Sequence, residues 1–439
     1  MKYFCPNKKT ESHAIIILMF TAFLMMTLIP YVQGQDDINR RILLLNRRID
    51  SLTEKVNKNS IGIRRNRDTI INIHERRYME NAKTGGFVLG DLYGNSLTIY
   101  GFIQGDLIHD FKEINSASSD KMQPSYIPVN NGSIGSTAFS IRQSRFGFRS
   151  TTLIKGKLMS TLLEFDLFNP DGSSNPRLRH AYAEYGRWGF GQYWSNWMDI
   201  DTWPNVFDYW GPNAMIFTRT LQVRYTQPLG KGLVARFSLE SPGGDIIVPS
   251  TIGTNISQIP NVTGTLRKDW GQSHLQLSTV LHPITYKTSS DAQVAKYGYG
   301  AAFYGLIYMN KLDNFSFQAA YGNGIANWSE DIGGLGYDGV FNSQAQLKLL
   351  PYLGVFGYYS HYLSKKLSTT IGYSYLQLQN QSFEPGSNLH ATVYSSVNLV
   401  YYLNSSLKFG PELMYGSRKN VDGSFGDDIR ISLSGNLRF

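Results

Sequence analysis

The stretch SLTIYGFIQGDLIHDF, residues 96–111, alternates between apolar and polar side chains along most of its length. Leu97, Ile99 and Ile103 share one face of an extended chain, whereas Gln104 and Asp106 share the other. Successive side chains of a β-strand point to opposite faces, so this period of two predicts a strand with one apolar and one polar surface. Strands of a water-soluble sandwich and strands of a membrane barrel both have this pattern. The lengths of the connections elsewhere in the chain distinguish the two.

The same alternation recurs along the chain, for example in GKLMSTLLEFDLF (residues 156–168), and gives about sixteen strands. The connections alternate in length: YGRWG (185–189) and LSKK (363–366) are short, and those after odd-numbered strands are mostly long. Bacterial outer-membrane barrels combine an even number of antiparallel strands with short periplasmic turns and longer outer loops. The sequence therefore predicts an all-β transmembrane barrel over residues 96–439, preceded by a linker at 83–95.

The N-terminus has the pattern of an export signal. Three lysines precede the apolar run AIIILMFTAFLMMTLI (residues 14–29), and small residues follow it near Gly34. A transmembrane helix needs roughly 20 apolar residues, and this run is shorter. We therefore expect a signal peptide over residues 1–34. The only cysteine, Cys5, lies within it, so we expect neither a disulfide nor a thiolate metal site in the mature chain.

Residues 35–82 are highly charged, and their apolar residues follow a heptad. Ile42, Ile49 and Val56 fall at a positions, and the polar residues Asn59 and Asn66 fall at d positions. β-Branched a residues with mixed d residues fit a trimer at least as well as a dimer, and a buried Asn fixes the register. The pattern predicts a trimeric coiled-coil helix in the periplasm, with a solvated single helix as the alternative.

The stretch FSIRQSRFGFRS, residues 139–150, contains three arginines among apolar residues. Arg142 and Arg145 are three positions apart, so regular pairing would turn one of them toward lipid, at a cost of roughly 2–4 kcal/mol near the membrane centre. A one-residue bulge at Gln143 and Ser144 would shift the phase of the strand. With that bulge, Arg142, Arg145 and Arg149 all face the lumen, and the phenylalanines face lipid.

The connection NWMDIDTWPNVFDYWGPNAMIF, residues 196–217, is rich in Trp and Asp. It is the third outer loop by count, and by position it resembles the loop that narrows general porins. We expect its acids, Asp199, Asp201 and Asp208, to lie opposite a wall of arginines, because opposed fixed charges select solutes by charge. An ordinary surface loop is the alternative. A weaker possibility is that Asp199 and Asp201 bind Ca²⁺, which prefers oxygen ligands.

Five stretches together resemble the DcaP-like trimeric outer-membrane porin family: RQSRFGF (142–148), LEFDLF (163–168), RLRHAY (177–182), GQYWSNWMD (191–199) and LQVRYTQP (221–228). The resemblance implies a homotrimeric barrel for the diffusion of small, preferentially anionic solutes such as dicarboxylates. It also implies that the family's arginines correspond to Arg142, Arg145, Arg177, Arg179 and Arg224.

Strand phase and this resemblance together define a predicted pore lining. Its basic members are Arg142, Arg145, Arg149, Arg177, Arg179, Arg224 and Arg236, and its other members are Gln104, Asp106, Glu164 and Asp166.

The formal net charge of +9 would by itself permit nucleic-acid binding, but an exported barrel would place its arginines in a membrane pore. Nucleophile-elbow, zinc-protease and phosphate-loop motifs are absent from the sequence, so we predict no enzymatic activity and no cofactor. The expected location is the bacterial outer membrane. The expected partners are two further copies of the chain, membrane lipid and lipopolysaccharide, small anionic solutes, and peptidoglycan or another periplasmic partner. The alternative function is that of an adhesin or cell-envelope structural protein attached through the coiled coil.

Overall fold

The computed structural model describes Arg48 and residues 87–92, 95–115, 120–130, 132, 134–155 and 157–439. The predicted signal peptide and, apart from Arg48, the predicted coiled coil with its layers at Asn59 and Asn66 lie outside the described residues. All strands belong to one compact unit, Thr69–Phe439. Within the described residues, no helix is both long enough and apolar enough to cross a bilayer.

The regular secondary structure of the described chain is almost entirely β-strand. In chain order the strands are β1 (Phe87–Leu92), β2 (Asn95–Asp110), β3 (Ser136–Ser140), β4 (Arg145–Ile154), β5 (Lys157–Asp166), β6 (Arg177–Tyr185), β7 (Trp188–Trp194), β8 (Arg219–Gly230), β9 (Leu233–Glu240), β10 (Gly253–Ile256), β11 (Asn261–Trp270), β12 (Ser273–Thr288), β13 (Gln293–Tyr308), β14 (Asn314–Asn323), β15 (Gly339–Phe341), β16 (Leu347–Leu349), β17 (Pro351–Ser364), β18 (Leu367–Leu378), β19 (Leu389–Tyr402), β20 (Leu407–Asn420) and β21 (Phe425–Arg438).

Antiparallel pairing of neighbouring strands closes a barrel. The wall consists of β2, then β3 and β4 acting as one strand, then β5 to β9, β11 to β14 and β17 to β21. The last strand pairs with the first, with Asp106 opposite Ser434 and Phe102 opposite Arg438. The closed 16-strand antiparallel barrel that the sequence predicts is therefore confirmed in the described residues. Closure removes both sheet edges, which lipid could not hydrogen-bond.

Part of the predicted linker belongs to this sheet. β1 pairs with the beginning of β2, from Leu92 opposite Asn95 to Phe87 opposite Ile99. The backbone of Phe439 exchanges hydrogen bonds with Gly101, so β21 reaches no further along β2. β1 therefore pairs with the backbone groups of β2 that β21 leaves open, which explains why this short segment forms a strand.

The two faces of the wall differ as a membrane barrel requires. Large apolar side chains such as Leu221, Phe237 and Ile371 are exposed on the outside. The alternate positions, such as Gln222 and Arg224, are buried in the interior. A water-soluble protein has the reverse distribution, with apolar residues inside.

The bulge predicted among the arginines is present. β2 pairs with β3 as far as Ser140, opposite Asp106, and with β4 from Arg145, opposite Phe102. Three residues of β2, 103–105, therefore lie opposite four residues, 141–144. Within this bulge, Ser144 N donates to Ile141 O at 2.9 Å. The phase shift leaves Phe139 82% exposed on the outside, whereas the Arg145 side chain is only 15% exposed. The prediction is confirmed.

Three long loops pack against the inner face of the wall: the β2–β3 loop (residues 111–135), the β7–β8 loop (195–218) and the β14–β17 loop (324–350), which contains β15 and β16. Tyr304 of β13 donates its hydroxyl to Trp197 O at 2.8 Å, and Tyr352 of β17 donates to Ala214 O at 3.2 Å. Both tyrosines are fully buried on the inner face.

An apolar cluster joins these loops to the wall. Its loop members include Trp197, Met215, Ile216, Trp328 and Ile332, and its wall members are Trp194 of β7 and residues of β12 to β20. The loops therefore pack on an apolar part of the inner face, whereas most of the inward-facing arginines lie on β4 to β11.

Candidate pore constriction

The arginines that the sequence analysis assigned to the pore lie on the inner side of the wall. β4 contributes Arg145 and Arg149, β6 contributes Arg177 and Arg179, and β8 and β9 contribute Arg224 and Arg236. Arg142 lies in the bulge between β3 and β4 and is also buried. Neighbouring strands thus place a row of guanidinium groups along one half of the interior.

Arg177 and Arg179 form a paired network with the acids of β5. Arg177 donates from Nε and Nη2 to the two carboxylate oxygens of Asp166, at 2.9 and 2.7 Å. Arg179 donates from Nε to Glu164 at 2.8 Å and from Nη1 to Asp166 at 2.7 Å. Glu164 and Asp166 thus lie in the interior, as expected. These pairs of hydrogen bonds neutralise charges whose burial without a partner would destabilise the protein.

Arg142 is enclosed by loop groups. Its Nη1 forms an ion pair with Asp120 of the β2–β3 loop, its Nε donates to Ser173 O at 3.0 Å, and its guanidinium lies over the ring of Phe168 at 4.4 Å. Arg142 therefore holds two loops together at the bulge and presents little surface to a passing solute.

Other arginines of the row form no ion pair with an acid of the described chain. Arg224 donates only to neutral acceptors, Gln222 Oε1 at 2.9 Å and Trp194 O at 2.6 Å. The guanidinium of Arg149 lies 5.6 Å from the ring centre of Tyr100. Among the described residues, neither arginine has a carboxylate within 4.0 Å. Glu184 of β6 acts at longer range on both of them and on Arg236, so three guanidinium groups share one carboxylate and this part of the interior has a surplus of positive charge.

The acids of the β7–β8 loop contact other groups than the expected ones. Arg267 of β11 donates to Asp199 at 3.3 Å and to Asp201 at 2.8 Å, and His274 Nε2 lies 2.7 Å from Asp199. Asp199 begins the short 3₁₀ helix Ile200–Thr202, whose turn directs both carboxylates toward β11 and β12. We expected these acids to lie opposite Arg142, Arg145, Arg179 and Arg224. The contacts show instead that Asp199 and Asp201 lie against β11 and β12.

Asp208 also points away from the arginine row. It accepts from the hydroxyl of Tyr394 on β19 at 2.8 Å and from Gly211 N at 3.0 Å. A Cβ atom at Gly211 would lie 2.2 Å from the Tyr394 ring, so only glycine lets the loop lie this close to β19.

Tyr209, the next residue, contacts the arginines of β6. Its hydroxyl accepts from Arg177 Nη2 at 2.8 Å and from Arg179 Nη1 at 2.9 Å, and its ring stacks on Phe168 with centroids 4.3 Å apart. The sequence analysis missed this residue because it considered only charged groups in the loop. The available signal was its position directly after Asp208 in this loop.

Gln104 and Asp106 lie in the interior, as predicted from strand phase. Gln104 Nε2 donates to Asp106 Oδ1 and to Phe207 O, both at 3.0 Å. Gln104 therefore holds the middle of the β7–β8 loop against β2.

The calcium site considered at Asp199 and Asp201 has a competing occupant. These two carboxylates and His274 place ligand atoms within 4.8 Å of one another. Arg267, however, already bridges both carboxylates and also donates to Asp269 at 2.9 Å. Its guanidinium supplies the positive charge that a cation would supply.

Comparison with known proteins gives the family. A family model described as DcaP outer membrane protein matches residues 32–439. The outer membrane channel DcaP of Acinetobacter baumannii has a similar solved structure, with 19% identity, a TM-score of 0.68 and coverage of 80% of this chain and 99% of that chain. No curated protein matches the chain in sequence.

Two further solved structures share the fold. The anion-selective porin from Comamonas acidovorans has a TM-score of 0.55 and 12% identity, over 79% of this chain and 100% of that chain. OmpT of Vibrio cholerae has a TM-score of 0.51 and 9% identity, over 80% of this chain and 100% of that chain. The barrel is thus the fold of porin channels, and the family match over residues 32–439 leads to one conclusion: the chain belongs to the DcaP outer membrane protein family.

Proposed function

We propose that the protein is an outer-membrane channel for the passive diffusion of small hydrophilic solutes, with a preference for anions of the dicarboxylate class. The observation that carries this proposal is the surplus of positive charge inside the barrel. Arg149, Arg219 and Arg224 have no carboxylate within 4.0 Å in the part of the chain that the structure describes. Fixed charges in a narrow, low-dielectric pore raise the local concentration of counter-ions and select by charge.

In this proposal the β7–β8 loop is the constriction. Two contacts support that role: the apolar cluster fixes one side of the loop to the wall, and Tyr209 fixes the other side to Arg177 and Arg179. A loop that is fixed on both sides keeps its position, so it would narrow the lumen without closing it. Arg145 and Arg149 are only partly covered and would be in reach of a solute that passes the loop.

The resemblance and the heptad pattern lead to the rest of the proposal. The chain would form a homotrimer in the bacterial outer membrane, in contact with lipid and lipopolysaccharide. The coiled coil over residues 35–82 would lie in the periplasm, where it joins the three subunits and meets peptidoglycan or another partner. The short turns would face the periplasm and the long loops the outside.

Planar-bilayer recordings test this proposal. We expect conductance to appear in groups of three equal steps, and a potassium chloride gradient should give a reversal potential of the sign that chloride permeation produces. Replacing chloride with dicarboxylates should preserve a measurable anion current. An absence of conductance would contradict the channel, and a cation-selective reversal potential would contradict the charge argument.

A further inference from the structure

The hydroxyl of Tyr209 lies between two guanidinium groups. Arg177 Nη2 and Arg179 Nη1 donate to its oxygen at 2.8 and 2.9 Å. A phenol oxygen that accepts two such hydrogen bonds has both acceptor positions filled, and its own proton has to point away from both donors. The ring cannot easily turn, since it stacks on Phe168 with centroids 4.3 Å apart. These contacts therefore suit a phenolate better than a neutral phenol, because hydrogen bonds from cations to an anion are the stronger ones.

Positive charge exceeds negative charge around this hydroxyl. Asp166 of β5 lies 2.7 Å from a nitrogen of each of the two arginine donors. Glu164, on the same strand, lies 2.8 Å from Arg179 Nε and 3.5 Å from Arg145 Nε. Three guanidinium groups therefore already share two carboxylates on this part of the wall.

Arg219, at the start of β8, adds a fourth guanidinium group. It lies 5.2 Å from the ring centre of Trp194, and the guanidinium of Arg179 lies 5.3 Å from the same ring. Burial alone would raise the pKa of the Tyr209 hydroxyl, but the charges of Arg179, Arg219 and Arg177 outweigh burial and lower this pKa to about 8. The electrostatics and the hydrogen bonds therefore agree in favouring the ionised hydroxyl.

Other charged groups lie on the elements that pack around this ring. The guanidinium of Arg142 and the ammonium of Lys121 lie over Phe168, at 4.4 and 5.9 Å from its ring centre, and Arg142 is paired with Asp120. From the β14–β17 loop, Glu330 acts on the same arginines, and burial raises the pKa of its carboxyl well above its usual range. The carboxyl of Glu330 is thus a second titratable group here, and an experiment has to separate the two.

We propose that Tyr209 sets the charge selectivity of the pore and makes it depend on pH: its hydroxyl releases its proton to water under mildly alkaline conditions, and the phenolate stays between Arg177 and Arg179. One positive charge of the arginine row is then cancelled, so the preference for anions falls as pH rises. This inference rests on the proposed channel function and adds a regulation to it.

The near-ultraviolet absorbance of tyrosinate tests the ionisation on the purified protein in detergent. The difference between the unaltered protein and Tyr209→Phe should show one tyrosinate of the 28 tyrosines, with a midpoint at about pH 8. Arg219→Gln should move this midpoint to higher pH, because it removes a charge that favours the phenolate. Absence of the step would contradict the inference, whether or not the protein conducts. Heat-modifiable migration on a gel checks that each variant folds.

Tyr225→Phe is the matched control. The hydroxyl of Tyr225 accepts from Arg187 Nη1 at 3.1 Å at an exposed site, so this variant removes a tyrosine that contacts an arginine outside the row. It should leave the step at about pH 8 in place.

Reversal potentials in bilayers of neutral lipid test the effect on selectivity. Between pH 6.5 and pH 9.5, the ratio of chloride to potassium permeability should fall by roughly threefold in the unaltered protein, the effect of one charge about 7 Å from a passing ion in water. Tyr209→Phe should remove most of this fall, and Tyr225→Phe should retain it. An equal fall in Tyr209→Phe would assign the titration to another group such as Glu330 and overturn the inference, although the channel remains. An absence of current at every pH would contradict the proposed channel function itself.

Discussion

The arginines of the row differ in what surrounds each guanidinium. Arg142 is covered by Asp120 and by loop carbonyls, so its charge is already used inside the protein. Arg149 lies over Tyr100 in a partly covered position and has no acid within 4.0 Å among the described residues. Residues with the same charge and the same strand phase therefore play different parts, and Arg149 is the better candidate for contact with a passing anion.

Arg149→Gln should shift selectivity toward cations. The change removes one uncompensated charge from the lumen, so we expect the reversal potential in a salt gradient to move toward that of potassium. Arg187→Gln is the control, because Arg187 is exposed at the turn between β6 and β7 and its loss changes the net charge equally. An equal shift in both variants would show that total charge, and not the position of Arg149, determines the effect.

The sequence predicted which face of the strand each arginine occupies, but not which groups each guanidinium contacts. The spacing of Arg142 and Arg145 indicated the bulge, because the cost of placing an arginine in lipid excludes regular pairing. The contacts between Asp199 and Arg267 and between Tyr209 and Arg177 join distant parts of the sequence. Strand periodicity reports which face a residue occupies and says nothing about which loop lies opposite it.

The loops act as one element because hydrogen bonds connect them. Asp331 of the β14–β17 loop accepts from Ser125 N at 3.0 Å and from Thr392 Oγ1 at 2.7 Å, and its backbone N donates to Asn213 O at 3.2 Å. Phe217 N also donates to Trp328 O at 2.8 Å, so the β7–β8 and β14–β17 loops form a short ribbon. Sequence analysis identified the lengths of these loops but not their mutual pairing.

Asp331→Ala should loosen this group of loops. Two buried donors would lose their acceptor, at a cost of about 1–3 kcal/mol each. We expect faster trypsin cleavage after the exposed residue Lys348 and greater noise in the open-channel current. Asp422→Ala, in the turn between β20 and β21, should leave both unchanged. Cleavage at Lys348 at the original rate would mean that the apolar cluster alone holds the loops.

The contact between the β9–β10 connection and the β14–β17 loop should depend on pH. Asp245 accepts from Gly334 N at 2.8 Å and from Gly336 N at 2.9 Å. Burial and the nearby carboxylate of Asp338 raise the pKa of Asp245 to about 6, although these amide hydrogen bonds lower it. A raised pKa in the folded state means that the protonated form is favoured, so this contribution to stability is lost as pH rises through about 6.

Hydrogen exchange measures this effect. After correction for the intrinsic exchange rate, the amides of residues 330–340 should be better protected at pH 5 than at pH 7.5. Asp245→Asn, which cannot ionise, should remove the difference. A difference that persists in this variant would assign the pH dependence to another group.

At the scale of the whole molecule, we expect the barrel and the predicted coiled coil to contribute separately to the proposed trimer. The closed wall satisfies its own backbone hydrogen bonds, so the barrel does not depend on residues 35–82 for folding. Deletion of residues 36–80 should therefore leave barrels with normal heat-modifiable migration, whereas trimers should dissociate at lower detergent concentration or temperature. Trimers of undiminished stability would place the whole of the subunit contact in the barrel walls.

The separation of the apolar cluster from the arginine row also bears on how such a barrel can change over evolutionary time. Substitutions along β12 to β20 disturb a packed core that includes Tyr304 and Tyr352, so most of them should be removed by selection against misfolding. Partly exposed residues of the lumen such as Arg149 take less part in this core. Lineages in different habitats could exchange these residues one at a time and acquire new nutrient preferences while inheriting the same scaffold.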